Sequence, residues 1–352
     1  GRLKVGLEEP LISTNDRVGL DPGHPTIASL LKKSGYETAL LGKWHLGTRP
    51  EWGPNAHGFD EFFGILSGAG DYFLHKTGQG APDLFENLTP VERNGYLTDL
   101  LSERAVAFVS RRRQAPFYLS LHYTAPHWPW QGPKSGELIK FSTSQTEPAT
   151  MNVGGSLKIY AEMMQSLDQG VGRVLKTLDT AGLASNTLII FTSDNGGERF
   201  SYEWPLSGQK GDLLEGGIRV PAIVRWPHVV PATQVTNQVA ISMDWTATML
   251  AAAKVTPDPA YPLDGENLLP VMRKSMPVHD RTLCWRIRAQ DAVRSGHWKY
   301  VRVNENKYLF DLSVDEREQA NFKDKHPDIL KRLQSEFDKW EANMLPRKQP
   351  RN

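Results

Sequence analysis

Thr187-Leu188-Ile189-Ile190-Phe191-Thr192-Ser193-Asp194-Asn195-Gly196-Gly197 is the stretch on which the reading of this chain turns. A β-branched and aromatic run, with a long helical pattern before it and paired glycines after it, reads as a buried strand of a parallel sheet. In open α/β sheets ligands collect where strands end. This end presents a carboxylate beside an amide oxygen, the hard donors that Ca2+ or Mg2+ takes. Asp-Asn-Gly-Gly is also an ordinary turn sequence, so the rest of the chain must decide between turn and site.

Working outward, Leu157 to Leu178 carries Ile159, Met163, Leu167, Val171, Val174, Leu175 and Leu178 as one helical stripe that ends at Gly182. Before it, Pro116 to Tyr123 reads as a buried strand that delivers Thr124-Ala125-Pro126-His127-Trp128-Pro129-Trp130, with His127 held between two prolines. Thr98 to Arg113 reads as a helix. Pro25 to Gly35 is a shorter one, followed by the strand Tyr36 to Leu41 and then Gly42-Lys43-Trp44-His45-Leu46-Gly47. Taken singly, Lys43 reads as a solvated lysine and His45 as a structural histidine. Residues 48 to 96 read as long excursions over the sheet rather than regular elements, and 132 to 155 as a loop. After the opening strand come a loop with Gly208-Gln209-Lys210-Gly211, the strand Val220 to Trp226 and the helix Ser242 to Ala253.

Prolines recur from Thr256 through Pro277 and mark a boundary. Beyond it Thr282 to Ile287, Asp291 to Arg294, Trp298 to Val303 and Lys307 to Asp311 read as short strands, and Pro327 to Asn343 as a closing helix. The expectation is an α/β domain over 1–275, with helices on both faces of its sheet, and a small α+β domain over 276–352, an antiparallel sheet with one covering helix.

Composition narrows the class. The 352 residues are 39% hydrophobic and 23% charged, and 41 Lys plus Arg stand against 40 Asp plus Glu. Nothing in that balance attracts nucleic acid or an anionic membrane, so neither is an expected partner. The one cysteine, Cys284, excludes an intrachain disulfide framework. No signal peptide and no apolar run long enough to span a membrane is visible in the sequence.

Lys43 with His45, His127, Asp194 with Asn195, and Lys210 lie in four separate loops, each following a strand or framed by glycine or proline. Together they make a cationic pocket around a metal, which suits an ester oxyanion whose charge must be met by groups already in place. With these residues the sequence resembles the type I sulfatases of the alkaline-phosphatase superfamily. The resemblance runs through Thr26 to Gly47, His57-Gly58-Phe59-Asp60-Glu61-Phe62-Phe63-Gly64, Tyr123 to Pro129, Ser193 to Gly197 and Gly208 to Pro221. It continues in the tail through Asp291 to Tyr300 and Leu309 to Leu312. It implies an alkaline-phosphatase-like mixed sheet flanked by helices. It also implies hydrolysis of an aryl or sugar sulfate ester through a formylglycine nucleophile. Asp194 and Asn195 would ligate Ca2+ (or Mg2+), Lys43, His127 and Lys210 would contact the sulfate oxygens, and His45 would hold the nucleophile. Phe59, Trp204 and Arg219 read as scaffolding, and Trp128, Trp130, His75, Arg199 and Glu203 as candidate walls of a specificity pocket. Family habit implies the periplasm, the extracellular space or the lysosome.

Formylglycine derives from the first residue of a Cys/Ser-x-Pro/Ala-x-Arg motif, and a paired-aspartate strand upstream supplies two more metal ligands in the family. Neither occurs here. Cys284-Trp285-Arg286-Ile287-Arg288 has arginine where proline or alanine belongs, and Ser275-Met276-Pro277-Val278-His279 ends in histidine. Gly1 to Leu7 resembles the segment that follows the nucleophile helix. The expectation is a sulfatase without its first strand and nucleophile segment, inactive as it stands and weak toward a divalent cation. Competing readings are a phosphodiesterase or phosphonate hydrolase on the same fold, and a non-catalytic degenerate homologue.

Overall fold

The computed structural model describes residues 19–135 and 154–347. The reading of Gly1 to Leu7 and most of the 132–155 loop lie outside them. The described residues fall into two compact units, one holding residues 19–135 and 154–187 with Met249–Leu263, the other Leu188–Thr248 with residues 264–347. Among the described residues no helix is long and apolar enough to cross a membrane.

In the first unit Thr26 caps α1 (Ile27–Lys33). Its hydroxyl oxygen accepts the Ser29 N–H at 3.1 Å, and the Ser29 hydroxyl oxygen accepts the Thr26 N–H at 2.9 Å. Then come β1 (Glu37–Gly42), β2 (Glu61–Ile65), β3 (Leu84–Glu86), β4 (Thr89–Pro90), α2 (Leu97–Ser110), β5 (Phe117–His122) and α3 (Leu157–Thr180). The sheet order is β4-β3-β2-β1-β5. Strand β1 runs parallel to β2 and β5, while the β2–β3 and β3–β4 pairs are antiparallel. The alternation of side chains along the strands sorts them to two faces. Leu40 and Phe62 pack with Ala28 of α1, with Tyr118 against the same cluster. On the other face Phe117 meets Phe108 of α2 edge-on, and Arg104 of α2 lies over the Phe63 ring. α3 packs along α2. The sheet is therefore mixed, with helices on both faces. Residues 48 to 96 do hold regular structure, contrary to the sequence reading: Phe62 and Phe63 sit in a strand whose signal is diluted by the glycines around it.

In the second unit β6 (Ile189–Thr192) pairs with β7 (Ala222–Arg225), separated by the single turn α4 (Glu215–Ile218). This corrects the opening reading. The pair is antiparallel, and β6 is half-buried to exposed rather than a buried parallel strand. A β-branched run marks a strand but not its direction, and the return from 193 to 221 holds no helix long enough for a parallel crossover. The helix α5 (Ser242–Ala253) has its first seven residues in this unit; after it and α6 (Leu269–Met272), the strands β8 (Thr282–Ile287), β9 (Gln290–Ser295), β10 (Trp298–Val303) and β11 (Asn306–Asp311) form an antiparallel meander. Helix α7 (Pro327–Glu341) covers one face, joining Leu333 and Phe337 to Val293, Tyr300 and Leu309. Cys284 packs against this cluster, and burial pushes its thiol up to about 12. The opposite face gathers Ala292, Val301 and Phe310 around Leu213.

The carboxyl ends of the three parallel strands are laced together. Lys43 N–H donates to the His122 carbonyl at 3.0 Å, Trp44 N–H to Ile65 at 2.9 Å and His45 N–H to Leu66 at 3.1 Å. Asp83, 3% exposed, fixes the turn after β2: Oδ1 accepts the Leu66 and Ser67 N–H groups at 3.1 and 3.3 Å, and Oδ2 meets the Ser67 hydroxyl. Burial pushes its carboxyl up to about 6, against the opposing effect of the three donors. The Ser67 hydroxyl also lies 2.9 Å from the Ala69 carbonyl. The single Ser67 hydroxyl proton is thus shared between the Asp83 carboxylate and the Ala69 carbonyl.

Two outcomes follow. Gly42 has φ 120°, and a Cβ there would lie 1.8 Å from the His122 carbonyl oxygen. Gly42→Ala should cost about 3 kcal/mol or more, read as a lowered denaturant midpoint. Because the folded-state pKa of Asp83 is raised from 3.8 to about 6, its stabilising contribution is complete below the unfolded value and is lost as pH rises through about 6. Buried His75, lowered from 6.5 by desolvation, acts in the opposite sense, losing stability as pH falls. Its contribution cancels when wild type is compared with Asp83→Asn. The stability of Asp83→Asn relative to wild type should rise by about 2 kcal/mol between about pH 4 and pH 7.5 in urea titrations.

Candidate active site

Lys43 and His45 leave the carboxyl end of β1, and His127 lies in the loop that leaves β5. Three parallel strands thus open their loops at one end of the sheet, where ligands of such sheets bind. All three side chains are half-buried. His45 holds a left-handed backbone, φ 57°, which a side chain adopts only when its surroundings enforce it. Its imidazole rests on Gly68, where an added Cβ would come within 2.6 Å of Cε1 and Nε2. The Asp83 anchor therefore acts on the turn that accepts the His45 N–H and supplies the floor of its ring.

His127 is held from several directions. Its N–H donates to Thr124 at 2.9 Å, and its carbonyl accepts the buried Tyr72 hydroxyl at 2.9 Å. Nδ1 lies 2.7 Å from the Trp128 carbonyl, an acceptor only, so in the neutral ring the proton sits on Nδ1 and Nε2 is the basic nitrogen. Behind it runs a buried polar frame. Gln131 accepts the Tyr72 N–H at 3.0 Å, its Nε2 donates to Asp71 at 2.8 Å, and its carbonyl accepts the Tyr96 hydroxyl at 2.8 Å. His122 Nδ1 donates to the Lys43 carbonyl at 3.0 Å. Asp83, Gly68, Tyr72, Gln131 and His122 were all missed by sequence reasoning. The small-residue run Ser67-Gly68-Ala69-Gly70 was the available signal for one of them, and the others carry none.

Asp194, Asn195 and Lys210 belong to the second unit. Asp194 is exposed; Asn195 and Lys210 are half-buried. The Asp194 turn and the Lys210 loop are joined through the backbone: Lys210 N–H donates to the Gly197 carbonyl at 2.7 Å, and Gly196 N–H to Gly217 at 2.9 Å. Lys210 Nζ lies 3.3 Å from Glu198 Oε2. Glu203 accepts the Gly197 N–H at 2.9 Å and so braces the turn. The oxygen donors of Asp194 and Asn195 have the chemistry of a hard-cation site. Two donors are part of the six or more that Ca2+ takes, and among the described residues no group of three or more His, Cys, Asp or Glu is gathered for a metal.

The other sequence candidates separate. His75 and Trp130 are buried and belong to the scaffold, and the Trp128 ring lies against His127 with centroids 4.5 Å apart. Phe59 is core, and Arg219 pairs with Glu316 at 3.5 Å on the surface. Trp204, read as scaffolding, is instead 64% exposed, beside Tyr202 at 83%. Arg199 lies over the Phe200 ring at 4.8 Å.

Comparison with known proteins agrees with this architecture. An uncharacterised sulfatase of Schizosaccharomyces pombe is 28% identical over 91% of this chain and 76% of its own length. The N-acetylgalactosamine-6-sulfatase of Mus musculus is 31% identical over 80% of this chain, and the match spans 55% of that protein. Among solved structures Ps i-CgsB, crystallised in complex with k-i-k-neocarrahexaose, superposes with a TM-score of 0.85 at 31% identity. That match covers 97% of this chain and 80% of that one. The Sulfatase family model matches residues 6–255, well over half of the sequence, and the chain belongs to the sulfatase family.

Proposed function

We propose that this chain forms the greater part of an enzyme that hydrolyses sulfate esters of saccharides. The observation that carries the reading is the family match, joined to a lysine and two histidines at the ends of parallel strands, with a third basic loop at Lys210. The similar structure solved with a neocarrahexaose supports a saccharide substrate. So does the exposed pair Tyr202 and Trp204, six and eight residues beyond Gly196, because flat aromatic faces in solvent suit the C–H faces of sugar rings.

Hydrolysis of a sulfate ester replaces the sulfur–oxygen bond to the alcohol by one to an attacking oxygen, and negative charge builds on the sulfuryl oxygens and the leaving oxygen. As the family resemblance implies, Lys43, His127 and Lys210 would each contact sulfuryl oxygens, and a cation or N–H donor held on fixed backbone meets developing charge with little reorganisation. His45, braced by Gly68 and the Asp83 turn, orients the nucleophile and exchanges its proton. In the complete enzyme a formylglycine hydrate would supply the attacking oxygen, and a divalent cation held partly by Asp194 and Asn195 would lower its pKa. Lys210 meets Glu198 at 3.3 Å, so an arriving sulfate exchanges one carboxylate partner for its own oxygens.

In the full-length protein, turnover of a sulfated oligosaccharide should exceed that of a phosphodiester at equal concentration, and the opposite order would overturn the reading. Lys210→Ala and His127→Ala should each lower kcat by about 10²- to 10³-fold, with smaller changes in KM. Trp204→Ala should raise KM for the oligosaccharide while leaving an aryl sulfate, which has no sugar ring, unaffected.

A further inference from the structure

We propose that Lys299, on β10 of the C-terminal sheet, is a positioning residue for Lys210 and the Asp194–Asn195 turn, and that it acts through Glu215. The proposal rests on the reading of Lys210 as a sulfate-binding residue and extends the working site to a sheet that touches no substrate.

The three turns concerned, 194–197, 207–212 and 214–217, pack backbone on backbone. A Cβ on Gly196 would lie 1.8 Å from the Gly216 carbonyl oxygen, one on Gly216 2.4 Å from that of Gly208, and one on Gly217 2.2 Å from that of Asp212. Gly216 N–H donates to Ser207 at 2.7 Å, closing the knot. Glycines bring the turns together but supply no side chain to orient them. The helical turn α4 at their centre has four residues, too few to hold itself.

Glu215, the residue before those glycines, is the side chain that reaches out of the knot. It is 2% exposed, and Oε1 lies 2.8 Å from Lys299 Nζ, itself 0% exposed. Oε2 lies 3.4 Å from Arg294 of β9. Glu318 completes the cluster: one carboxylate oxygen is 2.8 Å from Lys299 and the other accepts the Glu215 N–H at 2.6 Å. Lys299 is therefore gripped by two carboxylates, one of which also holds the backbone of α4. A second tie runs from Gln290 of β9, whose amide accepts the Leu213 N–H at 3.1 Å and donates to the Gly211 carbonyl at 3.0 Å. Gly211 follows Lys210 directly.

Stability alone is a weak account of a buried ion cluster. Removing charges from water costs so much that well-packed apolar side chains of similar volume often serve as well or better. Leu213 already supplies an apolar contact with Ala292, Val301 and Phe310. What charge adds is direction. An apolar contact lets the knot slide over the sheet, while ion pairs at 2.8 Å define where it sits.

The test uses the chain with Lys299→Met, Glu215→Gln and Glu318→Gln combined, so that no buried charge of the trio is left uncompensated, and repeats it in a Lys210→Ala background. Melting should shift little, whereas amide hydrogen exchange at Gly196, Lys210 and Gly216 should quicken about tenfold while the amides of β9 and β10 keep their protection. Calorimetry with inorganic sulfate should show affinity falling about tenfold in the combined variant, and no further fall once Lys210 is absent, since both changes act at one group. Unchanged exchange at those amides, or an affinity loss that persists in full without Lys210, would overturn the proposal. Wild-type sulfate affinity that is absent or indifferent to Lys210→Ala would sink the reading of Lys210 instead, and the exchange data would still decide the positioning. Should the combined variant fail to fold, Glu318→Gln alone, which keeps an acceptor for the Glu215 N–H, is read by the same exchange measurement.

Discussion

At Gly42 an added Cβ would lie 1.8 Å from the His122 carbonyl oxygen, and at Gly64 one would lie 1.9 Å from the carbonyl of Gly42 itself. Strands β1, β2 and β5 reach the same level because these two positions carry no side chain. Everything at that end of the sheet follows from the shared level. Lys43, Trp44 and His45 continue the ladder for three more residues between the neighbouring strands, which places two titratable side chains on backbone as rigid as the strand itself. A loop of ordinary freedom would lose that precision, and positioning is most of what a charge-stabilising site provides.

The second unit solves the same problem by other means. Its Asp194 turn and Lys210 loop have no strand ladder between them, so glycine backbones pack against one another and charge supplies the orientation. The two solutions differ in what they tolerate. A ladder is insensitive to side-chain charge, whereas a buried cluster of Lys299, Glu215, Glu318 and Arg294 depends on every member keeping its ionisation. Burial raises the Glu318 carboxyl above its ordinary range, against the pull of Lys299.

Much of this was legible in the sequence because it depends on local patterns. The stripe from Ile159 to Leu178 gave α3, and the alternation in Thr282 to Asp311 gave a four-stranded meander with the predicted strands. Ser242 to Ala253 is a helix with the expected ends. The failures are also physical. Strand direction is decided by the route of the connection rather than by Ile189 to Thr192, so β6 was misread as parallel. Phe62 and Phe63 lie among glycines and passed for loop. At the site, the motif residues stand out by type, while their supports do not. Asp83 is one acid among forty Asp and Glu, and only its burial against Ser67 and Leu66 distinguishes it. His75 and Trp130 looked like pocket walls by composition and are scaffold by burial.

Cys284 resembled a nucleophile on spacing alone, and its setting on β8 gives the chain an unexpected practical character. Half-buried against the α7 cluster, with its thiol pushed up to about 12 by burial, Cys284 holds far less of the reactive thiolate at neutral pH than an exposed cysteine does. It is also the sole cysteine. Toward maleimides and disulfide reagents the native thiol should therefore react more slowly than an exposed one. A cysteine engineered at the exposed Tyr202 should react ahead of it, so that a fluorophore or spin label could be attached in the loop before Lys210 without first removing the natural residue.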